Sequence, residues 1–144
     1  LMGALAMQLR ERGEEGDAQR ADALVRDARA AWDARLAMFP EAAYGHAIDF
    51  FLEVEEDLPR ALELAEKNAQ SRPNGESKTT LASVQLANEK AEDARATIEA
   101  VLESGWSTPD THAVASEIYA ALGDEARATE HREVALAGNP HAFE

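Results

Sequence analysis

The chain contains no cysteine. Disulfides, thiolate nucleophiles and zinc–thiolate sites are therefore excluded, and the redox compartment is left open. Aromatic residues make up only 6% of a sequence that is 45% hydrophobic, so alanine and leucine must carry most of its core. Valine and isoleucine never form an alternating run, and no strand is predicted. No apolar stretch approaches the length of a membrane span. The opening LMGALAM is too short for a secretory core and has no basic region before it. Because Leu1 precedes Met2, the chain reads as a segment cut from something longer. Basic residues are also scarce, at 14 Lys plus Arg against 28 Asp plus Glu, for a formal charge of −14. An acidic surface repels phosphate backbones and anionic lipid, which argues against nucleic-acid and membrane-surface roles and favours a basic or neutral partner. The same charge keeps an extended helical array soluble.

The sequence is equally short of catalytic signatures. It has no HExxH, no G-x-S-x-G elbow, and its only glycine-rich candidate, GEEG at 13–16, lacks the lysine and the preceding strand of a phosphate loop. His46, His112, His131 and His141 are scattered, with His112 and His131 on the packing and outer faces of the last hairpin. His46, Asp49 and Glu53 fall at helical spacing on one side, but a metal or acid–base role would need a further ligand or an orienting partner. No catalytic residue, metal or cofactor is assigned.

What the sequence does contain is a period. Ala28, Ala61, Ala94 and Ala128 are separated by 33, 33 and 34 residues, and Pro40, Pro73, Trp106 and Pro140 give the same series. Two independent markers holding one register point to repeated helical hairpins. The last is the most explicit. Thr108 caps a helix with Pro109 in its first turn, and His112, Ala115, Ser116, Tyr119 and Leu122 form one stripe. Gly123 ends that helix, Asp124 caps the next, and Gly138 with Pro140 stops it. Small residues at Ala128 and Ala135, with Ala121 opposite, let the two axes approach closely. No polar capping helix is predicted after Pro140, so the last apolar face is expected either to be masked by a partner or second copy or to lie on a helix already polar enough, and Glu130, Arg132 and Glu133 support the second option.

The earlier hairpins vary the theme. A helix ending near Gly13 precedes an unbroken helix over 17–38, about 33 Å long, with Trp32 and Leu36 facing the second unit. In the second unit Tyr44, Ala47, Ile48 and Phe51 form the stripe, and the turn at 55–57 is one residue longer than elsewhere, with Asp57 as cap. In the third, Ser77 is the expected cap, the turn at 88–90 lacks glycine, and Trp106 fills the gap between repeats.

The Gly123, Ala128, Ala135, Pro140 spacing, together with Tyr44-x2-Ala47-Ile48-x2-Phe51, resembles the tetratricopeptide repeat, with Ile48 in place of the family's glycine. The resemblance covers essentially the whole chain as units of about 1–40, 41–73, 74–106 and 107–140. It implies an all-α, right-handed solenoid of about four antiparallel hairpins, eight helices, whose first helices line a concave groove. The groove positions are then Asp49 and Glu53, Thr79, Ser83 and Leu86, and Asp110, Ala113 and Glu117, with His46 and Phe50 in an alternative register of the second unit. The lysines and asparagines with which some members of the family grip a terminal carboxylate are absent from these positions. The expected role is a non-catalytic module binding a basic or neutral protein or peptide. The rival is a structural or self-associating segment, including a homodimer, of a longer polypeptide.

Overall fold

The computed structural model describes all residues from Leu1 to Glu144 and contains eight α-helices and no strand. They are α1 (Met2–Arg12), α2 (Asp17–Met38), α3 (Pro40–Asp49), α4 (Leu58–Ser71), α5 (Gly75–Ala87), α6 (Ala91–Glu103), α7 (Pro109–Ala121) and α8 (Glu125–Gly138). A π-helical turn, Phe50–Val54, continues α3. The chain divides into two compact units, Leu1–Lys67 and Asn68–Glu144, and the division falls within α4. All four marker alanines are buried, with exposures of 4% (Ala28), 0% (Ala61), 0% (Ala94) and 6% (Ala128), so the period read in the sequence is a packing period. Ala61, Ala94 and Ala128 are each the fourth residue of their helix, whereas Ala28 lies deep inside the long α2.

In the unit Leu1–Lys67, α1 packs on α2 and ends at Gly13, whose φ of 66° is left-handed and whose N–H returns to the Leu9 carbonyl at 3.1 Å. Asp17 opens α2 with a carboxylate only 1% exposed. Arg12 answers it with Nε at 2.7 Å and Nη2 at 2.6 Å, and the Glu14 amide donates at 3.1 Å. A carboxylate at a helix N-terminus also meets the positive end of the helix dipole. The hairpin turn expected to be one residue longer accommodates that residue by widening the helix. Glu55 donates its amide to the Phe50 carbonyl, five residues back, at 3.1 Å. Ten residues thus separate Phe51 from Ala61, where nine separate Gln85 from Ala94 and Tyr119 from Ala128. Arg10 Nη1 donates to the Val54 carbonyl at 2.8 Å and satisfies the end of the widened turn. Asp57 caps α4 by accepting the Arg60 amide at 3.1 Å. Phe51 is fully buried, and the guanidinium groups of Arg29 (5.6 Å to the ring centre) and Arg60 (5.8 Å) both cover its ring.

In the unit Asn68–Glu144, Ala82, Ala94, Ile98, Val101, Ala115, Ile118, Tyr119 and Ala128 form one apolar core shared by α5 to α8. The caps of α7 and α8 are those expected: Thr108 Oγ1 accepts the Thr111 amide at 3.1 Å, and Asp124 Oδ1 accepts that of Arg127 at 3.2 Å. The cap of α5 is different. Asn74, not Ser77, is the cap: its Oδ1 accepts the Ser77 amide at 2.9 Å, while the buried Ser77 hydroxyl donates to the Arg72 carbonyl. Helix α5 begins earlier than expected, at Gly75, which converts Ser77 from cap to first-turn residue. Ala121 is also not the partner of Ala128, because it is exposed. The close approach is made one turn earlier, where Ser116 Oγ donates to the Ala128 carbonyl at 2.9 Å. Two hairpin turns close through left-handed residues, Glu89 (φ 60°) and Gly123 (φ 77°).

Candidate functional site

The proposed groove positions distribute between the two units, and each set is placed separately. In Leu1–Lys67, Asp49, Glu53 and His46 are exposed. Phe50 is only 5% exposed and packs edge-on against Phe51, so it belongs to the core. The His46 ring lies 6.4 Å from that of Trp32, and His46, Asp49 and Glu53 do not converge into a group that could hold a metal ion. Trp32 is half-buried and, with Leu1, Met2 and Arg35, lines a shallow apolar cleft.

In Asn68–Glu144, Asp110 and Glu117 are exposed, Ser83 and Leu86 are half-buried, and Thr79 and Ala113 are each 8% exposed. Thr79 and Asp110 meet in one cleft of about 320 Å³, lined also by Glu76, Thr80, Trp106, Thr108 and Thr111. Its floor is a run of hydroxyls, with Thr79 Oγ1 3.2 Å from Thr111 Oγ1 and Thr111 Oγ1 2.9 Å from Thr108 Oγ1. Its wall is the Trp106 indole, 39% exposed. The tryptophan packs against Gly75 on one side and presents an aromatic face to solvent on the other.

The charge on these faces is not neutralised within the chain. Asp49, Glu53, Asp110 and Glu117 are in no salt bridge, whereas Asp33, Glu55, Asp57, Glu63, Glu99 and Asp124 are each paired with an arginine. Asp33, Glu55, Asp57 and Glu99 pair across elements and Glu63 and Asp124 pair locally, while the unpaired carboxylates leave a negative field over the first helices of their hairpins.

A second polar cluster was not legible from spacing. His112 Nδ1 lies 2.8 Å from His131 Nδ1, bridging α7 and α8, and His112 Nε2 lies 2.8 Å from Ser107 Oγ. His131 stacks on Tyr119 with ring centres 5.4 Å apart and 5° between planes. The Tyr119 hydroxyl donates to Glu99 Oε1 at 2.9 Å and accepts from Arg127 Nη1 at 3.4 Å. Burial lowers the pKa of both imidazoles, most directly, and for His112 the facing His131 adds to the effect. The Ser107–His112–His131 chain has the spacing of a nucleophile, a base and an orienting group. Yet Ser107 is the residue before the Thr108 cap and His112 is the fourth of α7, the two positions that ordinarily staple a helix N-terminus. Neither residue lines the neighbouring cleft. The chain of contacts reads as a clasp between helices.

The sequence matches no protein-family profile and no curated protein.

Proposed function

We propose that this chain is a non-catalytic binding module for protein or peptide segments of basic character. In this reading its tetratricopeptide-like hairpins stack as a right-handed solenoid and present their first helices to the partner. The observation that carries the proposal is the exposure of Asp49, Glu53, Asp110 and Glu117 without any internal counter-charge, in a chain of net charge −14. A preformed helical surface loses little entropy on binding, and unpaired carboxylates steer a cationic segment towards it. The cleft holding Thr79, Asp110 and Trp106 adds hydroxyl acceptors and an indole face suited to the same kind of segment.

Titration with lysine- and arginine-containing peptides at low and high salt tests the reading. Affinity should weaken as salt rises, and the paired substitution Asp110→Asn, Glu117→Gln should weaken it further at low salt. An affinity indifferent to both would overturn the electrostatic mechanism.

A structural or self-associating role is favoured by a different feature. Met38 and Phe39, at the end of α2, are 69% and 63% exposed. Sedimentation over a range of concentrations separates the readings: a dimer that dissociates on Phe39→Ser supports assembly, and a concentration-independent monomer refutes it.

A further inference from the structure

We propose that the His112–His131 pair is a pH-responsive clasp that holds α8 against α7 at neutral pH and releases it on mild acidification. The argument is a count of protons. A contact of 2.8 Å between two Nδ1 atoms requires one nitrogen to donate and the other to accept, so the bridge holds a single proton. Either tautomer serves. If His112 donates, its Nε2 accepts from Ser107. If His131 donates, His112 Nε2 carries the other proton and donates to Ser107 Oγ instead.

A first additional proton leaves the bridge intact, because it can occupy an Nε2, and the charged ring makes a stronger donor. A second addition places N–H against N–H between two cations whose ring centres are 5.0 Å apart. The bridge must then break.

The neighbours decide how readily this happens. Glu130, on α8, favours protonation of both rings, while Arg127, also on α8, opposes it at His131. From α7 Tyr119 faces the pair, stacked on His131, and from α6 Glu99 reaches it through the Tyr119 hydroxyl. No carboxylate accepts a hydrogen bond from either imidazole, so two positive charges are opposed only by Glu130 acting through space. Departure of His131 also unstacks Tyr119, whose ring is only 3% exposed, and thereby loosens the Arg127–Tyr119–Glu99 connection between α8, α7 and α6.

The sign is fixed by linkage. The released imidazoles bind both protons near their ordinary pKa of about 6.5, whereas the clasped pair takes up the second only at lower pH, so closure is favoured above that value and lost as pH falls below it. For each extra proton taken up on release, the opening constant rises roughly tenfold per pH unit within the window.

The test is hydrogen exchange of the full chain between about pH 7.5 and about pH 5, corrected for intrinsic exchange, beside histidine NMR titrations. Protection of α8 amides should fall steeply with pH in the wild type. In His131→Phe, which keeps a ring against Tyr119 but cannot be protonated, the slope should flatten. Parallel slopes in the two proteins would overturn the proposal. The wild type alone gives a second reading, independent of whether the variant folds. His112 and His131 should titrate as a coupled pair in two steps, and independent one-step curves for both would refute the clasp.

Discussion

The indole of Trp106 lies directly against Gly75, so closely that a Cβ on Gly75 would fall 2.0 Å from Trp106 Cγ. Backbone and aromatic ring are in contact because the side chain between them is a hydrogen. Gly75→Ala should therefore expel the indole from its seat and lower stability by about 1–3 kcal/mol, the usual cost of overfilling a packed contact. In a Trp32→Phe background the remaining tryptophan emission should shift to the red. Unchanged melting and emission would mean that the indole does not occupy this position in solution.

Arg29 is the hub of the turn region in the first unit. Its guanidinium meets Glu55, lies 3.3 Å from Asp57 and 4.0 Å from Asp33, and covers Phe51. Arg29 binds Glu55 Oε1, and the other carboxylate oxygen, Oε2, is buried without a hydrogen-bond partner, so the arginine is the only group answering this carboxylate. Arg29→Ala should destabilise the protein by about 1–2 kcal/mol, the low end for an orphaned buried group because the arginine is itself partly in water. Arg29→Lys should recover little, since an ammonium cannot serve several carboxylates in a planar fork. Urea unfolding of the three proteins decides the point.

Asp17 makes the first unit sensitive to strong acid. Its carboxyl is held below the ordinary carboxylate range, foremost by hydrogen bonding to Arg12, with the Glu14 amide assisting against the opposing effect of burial. A lowered pKa means that the unfolded chain binds the proton first, so this stabilisation is present above about pH 4 and is lost as pH falls through the native value. Asp17→Asn should melt lower than the wild type at neutral pH, and the two melting curves should converge in acid. A constant difference across the range would remove the ionised carboxylate from the explanation.

Ala128 admits no larger side chain. It is 6% exposed, and the Ser116 hydroxyl bonds to its carbonyl from the facing helix. Ala128→Leu should cost about 1–3 kcal/mol in chemical denaturation. Ser116→Ala should cost less, about 1 kcal/mol, because one hydrogen bond is lost without displacing either helix.

The features legible in the sequence were those fixed within a turn or two of chain. Gly13, Asp57, Thr108, Gly123 and Asp124 end or cap helices through contacts no more than four residues away, and the period of buried alanines needs only a constant repeat length. Choices between equally able neighbours were not legible. Asn74 and Ser77 can both cap, and which one does so depends on where α5 starts. The extra residue before Asp57 could be counted, but the π-turn that absorbs it is met at its end by Arg10, 44 residues from Val54, a contact that local spacing does not encode. His112 and His131 are 19 residues apart on different helices, and their contact depends on how α7 and α8 are rotated. Among the groove positions, exposure of Asp49, Glu53, Asp110 and Glu117 followed from helical spacing. The burial of Phe50, Thr79 and Ala113 followed from neighbours that spacing does not specify.

Glu56 and Glu89 turn two hairpins with φ of 59° and 60°, the conformation that Gly123 adopts in the last. A left-handed glutamate costs roughly 1 kcal/mol relative to glycine, less the greater freedom that glycine would have in the unfolded chain. The molecule thus holds an unused reserve of robustness at two solvent-facing corners. An engineer seeking a hardier scaffold would begin at these corners, where a single small residue relaxes the bend and leaves every buried neighbour untouched.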